Sequence, residues 1–167
     1  MVKNVIKRVK LFTYDAKRYI SVSEGQVTAD DIVYKLTEKF APKSIWELIL
    51  SYLTKTATVY IGDPVYYTVP FNLLPQIKQT SNLKYSLDVF DCDDFSFLKK
   101  GYEEEKGYAD GRNYAFGIIW VYSPTKVYGH ALNFFIGEDF NLYFYEPQKD
   151  SYFSEVIDDW RLITAIV

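Results

Sequence analysis

The chain contains one cysteine and one histidine, and both occur where they could act together. Cys92 lies in Asp91-Cys92-Asp93-Asp94-Phe95, where the pattern predicts the start of a helix. His130 opens the apolar run His130-Ala131-Leu132-Asn133-Phe134-Phe135-Ile136, which reads as a strand. A second run, Leu142-Tyr143-Phe144-Tyr145, ends on Glu146. Attack on an amide by sulfur requires a thiolate, and an ordinary free cysteine, near pKa about 8.5, is mostly protonated at neutral pH. A helix N-terminus favours the anion through its partial positive charge and unpaired amides. An imidazole completes an ion pair, and a third polar side chain orients the imidazole. Cys92 as nucleophile, His130 as base and Glu146 as orienter fill these roles. His130 begins one strand and Glu146 ends the next, so a tight turn between antiparallel strands would place both near one sheet edge. Each residue also has a plainer reading. Cysteine is often a small buried hydrophobe, the histidine could be surface or satisfied core, and Glu146 could cap a strand beside Pro147. The acids flanking Cys92 argue against an ordinary core slot.

Those acids pose an electrostatic problem. Carboxylates beside a thiol oppose its ionisation. A bound divalent cation would cancel that field, and clustered oxygen ligands suit calcium. Asp91, Asp93 and Asp94 are the candidate ligands, with Glu138 or Asp139 as further donors. There is no EF-hand loop pattern. The alternative for Asp93 and Asp94 is helix capping.

Positioning these groups falls to a handful of elements. Val5–Phe12 and Arg18–Val22 read as a hairpin turning near Asp15-Ala16. Thr28 and Asp31 form a capping pair before Ile32, Val33, Leu36 and Phe40 at helical spacing. Ser44 and Glu47 open a second helix to about Lys55. Thr58–Ile61 reads as a short strand, Pro70–Gln79 as a short helix or turn, and Asn82–Phe90 as a loop or short strand. From Asp93 to Tyr108 the pattern is helical, with Phe95, Leu98 and Tyr102 on one stripe. Strands Tyr114–Tyr122, His130–Ile136 and Leu142–Tyr145 follow, then a helical turn around Val156–Trp160 and a strand Leu162–Val167. That order predicts an α+β fold, with the cysteine helix packed on an antiparallel sheet. The expected organisation is one domain over 1–167, with a hairpin and helical subregion at 1–70 and a catalytic core at 80–150.

Composition narrows the classes. The chain has 167 residues and 49% apolar content, enough for a real core. Aromatics reach 19%, with 16 Tyr and 12 Phe, and rings favour sheets. No apolar run attains the roughly 18–20 residues of a membrane span. The N-terminal run carries charges inside it and lacks a signal-peptide core. A lone cysteine forms no internal disulfide, so no oxidising compartment is implied. An intracellular protein without membrane or nucleic-acid partners is the expectation. The lysines near the N-terminus read as protection of an edge strand rather than a nucleic-acid surface. The aromatic-rich surface leaves a homodimer open.

Three segments carry a resemblance: Tyr85-Ser86-Leu87-Asp88-Val89-Phe90-Asp91-Cys92-Asp93-Asp94-Phe95, Gly129-His130-Ala131-Leu132-Asn133, and Tyr145-Glu146-Pro147-Gln148. They resemble the agglutinin C-terminal family, which includes the papain-like, calcium-dependent cysteine protease domain of the fungal chimeric lectin from Marasmius. The likeness covers about residues 80–150. It implies a papain-like fold, Cys92, His130 and Glu146 as a Cys-His-Glu triad, and Asp93 and Asp94 near a metal. Residues 1–70 show no β-trefoil repeat, so glycan binding is not implied. Bacterial transglutaminase-like cysteine proteinases are a more distant resemblance, with Asp more usual as the third residue.

The expected protein is therefore a papain-like cysteine peptidase, a calcium-activated hydrolase acting on a protein or peptide. Attack by Cys92 would precede proton delivery to the leaving amine by His130. The Cys92 amide and Gln148 would form an oxyanion hole, and Tyr85 would line the cleft. A transglutaminase-like acyltransferase or amidase on the same triad is the first alternative. The second is a non-catalytic interaction protein on a retired protease fold.

Overall fold

A computed structural model describes residues 23–41, 57–87, 89–155 and 160–167. The expected N-terminal hairpin, the helix from Ser44 and most of the helical turn before Trp160 lie outside these residues.

Helix α1, Ala29–Lys39, starts where local chemistry directs it. The Thr28 hydroxyl accepts from the Asp31 amide, and the Asp31 carboxylate accepts from the Thr28 amide. Its buried face is Ile32, Val33 and Leu36. Helix α2, Cys92–Asp110, starts on the same device: Asp91 accepts from the Asp93 amide, and Asp94 accepts from the Asp91 amide. It ends at Gly111, whose φ of 66° supplies the left-handed residue that closes a helix. The buried stripe is Phe95, Ser96, Lys99, Glu103 and Gly107. The expected stripe through Leu98 and Tyr102 is therefore rotated, because Lys99 and Glu103 are buried through ion pairs.

The described residues form eight strands: β1 Gln26–Thr28, β2 Thr58–Tyr60, β3 Val65–Tyr67, β4 Phe116–Ser123, β5 Tyr128–Ile136, β6 Leu142–Glu146, β7 Ser151–Phe153 and β8 Arg161–Ile166. β1 and β3 pair as a small antiparallel ribbon. The other six form one sheet in the order β2-β8-β4-β5-β6-β7. Two parts of the expected fold are corrected here. The described residues are dominated by β-structure with two α-helices, rather than balanced α+β. The sheet is mixed rather than antiparallel, because β2 runs parallel to β8.

Alternation along the strands divides the core. Ile119, Val121, Leu132, Phe134 and Phe144 join the α1 residues on one face. Phe116, Phe135 and Tyr145 pack with Val69, Leu73 and Ile77 on the other. Gly117 lies opposite Phe134 in the β4–β5 register. A Cβ there would run into the Phe134 ring and the Ile166 carbonyl, so the missing side chain lets the ring close over the sheet.

Helix α2 is fastened across the sheet by polar groups. Asn133, fully buried on β5, donates to the carbonyls of Ser96 and Gly117 at 2.9 and 3.2 Å. Further along, Lys99 is fully buried, pairs with Asp150 at 2.8 Å and sits over the Tyr145 ring. Asp150 also accepts from the Tyr145 hydroxyl and the amides of Thr80 and Ser81. Burial pushes against ionisation of Asp150, but these donors hold its carboxyl at about 2. Burial lowers Lys99, and Asp150 opposes that shift. Removing one member strands a buried charge, which costs about 3–5 kcal/mol. Lys99→Ala should therefore lower unfolding stability by that amount in urea denaturation; a loss below about 1 kcal/mol would show that the pair does not hold the helix.

Candidate functional site

The site lies where the start of α2 meets the start of β5 and the end of β6. His130 and Glu146 share the sheet face that carries Leu132, Phe134 and Phe144, so their side chains project from adjacent strands in the same direction. The imidazole Nε2 is 2.8 Å from Glu146 Oε2. That contact leaves Nδ1 as the ring nitrogen that can serve Cys92, whose influence helps to raise the imidazole pKa. The Cys92 sulfur also accepts from the Ala131 amide at 3.4 Å. One strand thus supplies both the imidazole and a main-chain donor to the same sulfur.

The positions are secured from several sides. The Ser96 hydroxyl donates to the Cys92 carbonyl at 2.8 Å, and Asn133 donates to the Ser96 carbonyl. The Gln148 amide donates to Glu146 Oε1 at 3.3 Å, leaving Oε2 to the imidazole. The Trp160 ring lies 5.7 Å from that of His130 and limits its contact with water. Both partners of the His130–Glu146 pair are mostly buried.

Burial alone would lower the imidazole pKa. Hydrogen bonds to Cys92 and Glu146, with their charges, outweigh it, and His130 is pushed up to about 9. The protonated ring is therefore the dominant form at neutral pH. Between Glu146 and Cys92 it can steady a thiolate and move a proton to or from sulfur.

The remaining sequence candidates are placed differently. Gln148 adjoins the site and holds Glu146 through its main-chain amide. Tyr85 is 53% exposed on the loop before α2, and no hydrogen bond or ring contact among the described residues joins it to Cys92 or His130. Asp91, Cys92 and Asp93 have ligand atoms within 4.8 Å of one another. Asp93 is pushed up by its hydrogen bond to Asp91 and by burial, so the two carboxylates crowd each other. Asp94 commits one oxygen to the cap. This oxygen-rich group fits a hard divalent cation in type. Glu138 and Asp139 are separated from it by the length of β5, roughly 25 Å at about 3.3 Å per residue. They serve other partners, Phe71 for Glu138 and Asn141 and Tyr143 for Asp139. Sequence reasoning missed Trp160, Ser96, Asn133 and the Ala131 amide. Of these, only Asn133 left a signal, as a polar residue inside an apolar strand.

Residues 66–152 match the model of a family described as Agglutinin C-terminal. The chain belongs to that family. No curated protein matches the chain. A solved structure described as the PSL1a–E64 complex aligns with a TM-score of 0.69 and 20% identity over 86% of this chain. The Polyporus squamosus lectin bound to the epitope Neu5Acα2-6Galβ1-4GlcNAc aligns with a TM-score of 0.66 and 21% identity, also over 86%. The chain spans about half the length of both, 51% and 50%.

These findings overturn several expectations. The structural neighbours are lectins rather than papain-like peptidases, so the papain-like peptidase fold is replaced by the fold shared with them. The cysteine peptidase and hydrolase assignment, with its acyltransferase and retired-protease alternatives, is likewise replaced by membership of an agglutinin family. Nothing supports the transglutaminase-like relationship. No helix among the described residues is long and apolar enough to cross a membrane.

The histidine electrostatics can be measured directly, since the chain has one histidine. Its proton resonances should titrate near pH 9, and Glu146→Gln should bring the midpoint down by about 1–3 units. The folded pKa lies above the ordinary 6.5, so this stabilisation is complete below about pH 6.5 and is lost as pH rises through about 9. A midpoint near 6.5 in the wild type would show that the ring is not held between sulfur and carboxylate.

Proposed function

We propose that this chain is a module of a glycan-directed agglutinin, whose partner is a glycan-bearing protein. Support comes from the family match over residues 66–152 together with the glycan-bound state of the Polyporus squamosus lectin. Glycan binding was not expected from the sequence, because no trefoil repeat was visible in residues 1–70. The fold likeness to a sugar-bound lectin brings it back. Exposed rings such as Tyr34 and Tyr108 give the surface flat apolar faces with polar edges, the kind of surface on which sugars stack. A glycan array probed with the full chain should show binding to a restricted set of oligosaccharides. A silent array, with the fold intact, would remove this reading.

A second reading concerns the Cys92 cluster and rests on its geometry. We propose Cys92 as a thiol made reactive toward electrophiles, with His130 as proton partner and Glu146 as the residue that orients it. The E64 complex of the PSL1a neighbour is consistent with ligand chemistry in this fold. Calcium is part of the proposal, with Asp91, Asp93 and the second oxygen of Asp94 as ligands; it would offset the negative field beside the sulfur. No second cysteine exists to confuse labelling, so iodoacetamide should modify the wild type at one position. His130→Ala should slow labelling by about 10-fold or more, in proportion to the lost ion pair. Calcium should raise the wild-type rate, and Asp93→Asn should abolish that rise. Labelling unchanged by His130→Ala would end the activated-thiol reading, and indifference to calcium and chelator would end the metal assignment alone.

A further inference from the structure

Strand β5 has a bare position beside the sulfur. Alternation puts Gly129 and Ala131 on the same face as Asn133, whose side chain is bonded to α2. The helix begins at Cys92, level with Ala131, so its cover stops there. Gly129 lies just beyond, exposed, about 7 Å along the strand from Ala131. A Cβ added at Gly129 would meet, among the described residues, only the Val121 carbonyl oxygen at 3.7 Å. Its φ is outside the left-handed region, so no turn requires glycine here. Glycine inside a strand weakens it and often marks the close approach of a ligand or of another backbone. Apart from its paired strand, no described backbone closes on Gly129.

Aromatic rings wall this opening. On β4, Ile119 and Val121 belong to the opposite core face, which turns Trp120 and Tyr122 toward the α2 face. The Phe97 ring on α2 lies 5.7 Å from the Trp120 ring, so contact fixes that direction. In the β4–β5 register Tyr122 stands opposite Gly129, and Trp120 opposite Ala131. Side chains directly opposite are about 5 Å apart and diagonal neighbours about 7–8 Å, within reach of a ring. A planar group laid over Gly129 therefore meets Tyr122 across the ladder and Trp120 on the diagonal, at the spacing of ordinary aromatic pairs. Phe97 is half-exposed and continues the apolar wall along the helix. Asp91, Asp93 and Asp94 at the helix start make the rim acidic, which disfavours a carboxylate on the occupant.

We propose that this shelf seats an uncharged aromatic side chain of a ligand that reacts at Cys92, with Trp120 and Tyr122 as its walls and Gly129 as its floor. The inference rests on the reading of Cys92 as a reactive thiol and names the ligand class that the thiol selects. In the alkylation that tests it, a sulfur lone pair forms the carbon–sulfur bond and iodide leaves with the carbon–iodine pair. The proton that was on sulfur remains on His130.

The test measures second-order labelling rates of the full chain with iodoacetamide, N-benzyl iodoacetamide and iodoacetate in the presence of chelator, each divided by the rate with glutathione. On this scale the benzyl reagent should exceed iodoacetamide by about tenfold, and iodoacetate should fall below iodoacetamide. Trp120→Ala removes a wall and Gly129→Leu fills the floor. Each should bring the benzyl-to-iodoacetamide ratio to within about twofold of one, with the melting temperature recording that the fold is kept. A ratio near one in the wild type, or a raised ratio that survives both substitutions in folded protein, would overturn the shelf. Faster labelling by iodoacetate than by the benzyl reagent would overturn the choice of an uncharged occupant. The ratio is read whatever the absolute rate, so labelling indifferent to His130→Ala removes the activated-thiol reading and leaves a raised ratio as evidence for the shelf.

Discussion

The buried ion pair between Lys99 and Asp150 is the constraint on which the arrangement of this molecule depends. Lys99 lies two turns into the cysteine helix, and Asp150 lies in the turn that follows Glu146. The pair therefore fixes the distance between the element that carries the sulfur and the element that carries the carboxylate. Asp150 does more than balance one charge. It gathers the amides of Thr80 and Ser81 and the Tyr145 hydroxyl, so the loop leading to Cys92 is tied to the same point. Burying two charges is costly unless the remaining lone pairs and protons are matched. Here they are matched from three segments, which makes the pair a specific clamp rather than a general source of stability.

The second clamp is Asn133, and the two work at different heights on α2. Asn133 holds Ser96, one turn from the sulfur, and Ser96 holds the Cys92 carbonyl. A helix fixed at two points along one face cannot roll. That is what allows a 3.4 Å contact between the Ala131 amide and the sulfur to coexist with an imidazole bonded to Glu146 beside it. The cluster is therefore set by the sheet register: β5 places Ala131 and His130 in sequence, and β6 returns Glu146 to the same face.

What could be read from the sequence follows from how local each signal was. Helix α1 and its Thr28 cap were legible, because cap and periodicity lie within a dozen consecutive residues. The long strands β4, β5 and β6 were legible from their apolar runs. The three-residue strands β1, β3 and β7 were not, since each exists through a partner elsewhere. The parallel β2–β8 pairing joins segments about a hundred residues apart, Thr58 with Thr164, and no local pattern encodes it. The stripe of α2 was misjudged at Lys99 and Glu103, because lysine and glutamate are ordinarily exposed and their burial depends on Asp150 and Lys100. Glu138 and Asp139 match the acids at Cys92 in residue type, but the length of β5 stands between them.

Convergence of thiol, imidazole and carboxylate is a statement about local chemistry, and it does not name a reaction. Peptide hydrolysis also needs donors aimed at the developing oxyanion and a wall that seats the substrate. Of the residues expected to supply them, Gln148 gives its main-chain amide to Glu146 and Tyr85 lies half-exposed on the loop before α2. The acids at the helix start add a second restraint. Asp91 and Asp94 are occupied in capping, yet their charge still lies beside the sulfur, and Asp93 is driven toward its neutral form by the crowding. An imidazolium held by Glu146 opposes that negative field from the other side. The state of the sulfur is thus a balance between a cap that the helix needs in order to begin and a histidine that the sheet brings across, and any cation at the aspartates would shift that balance toward the thiolate.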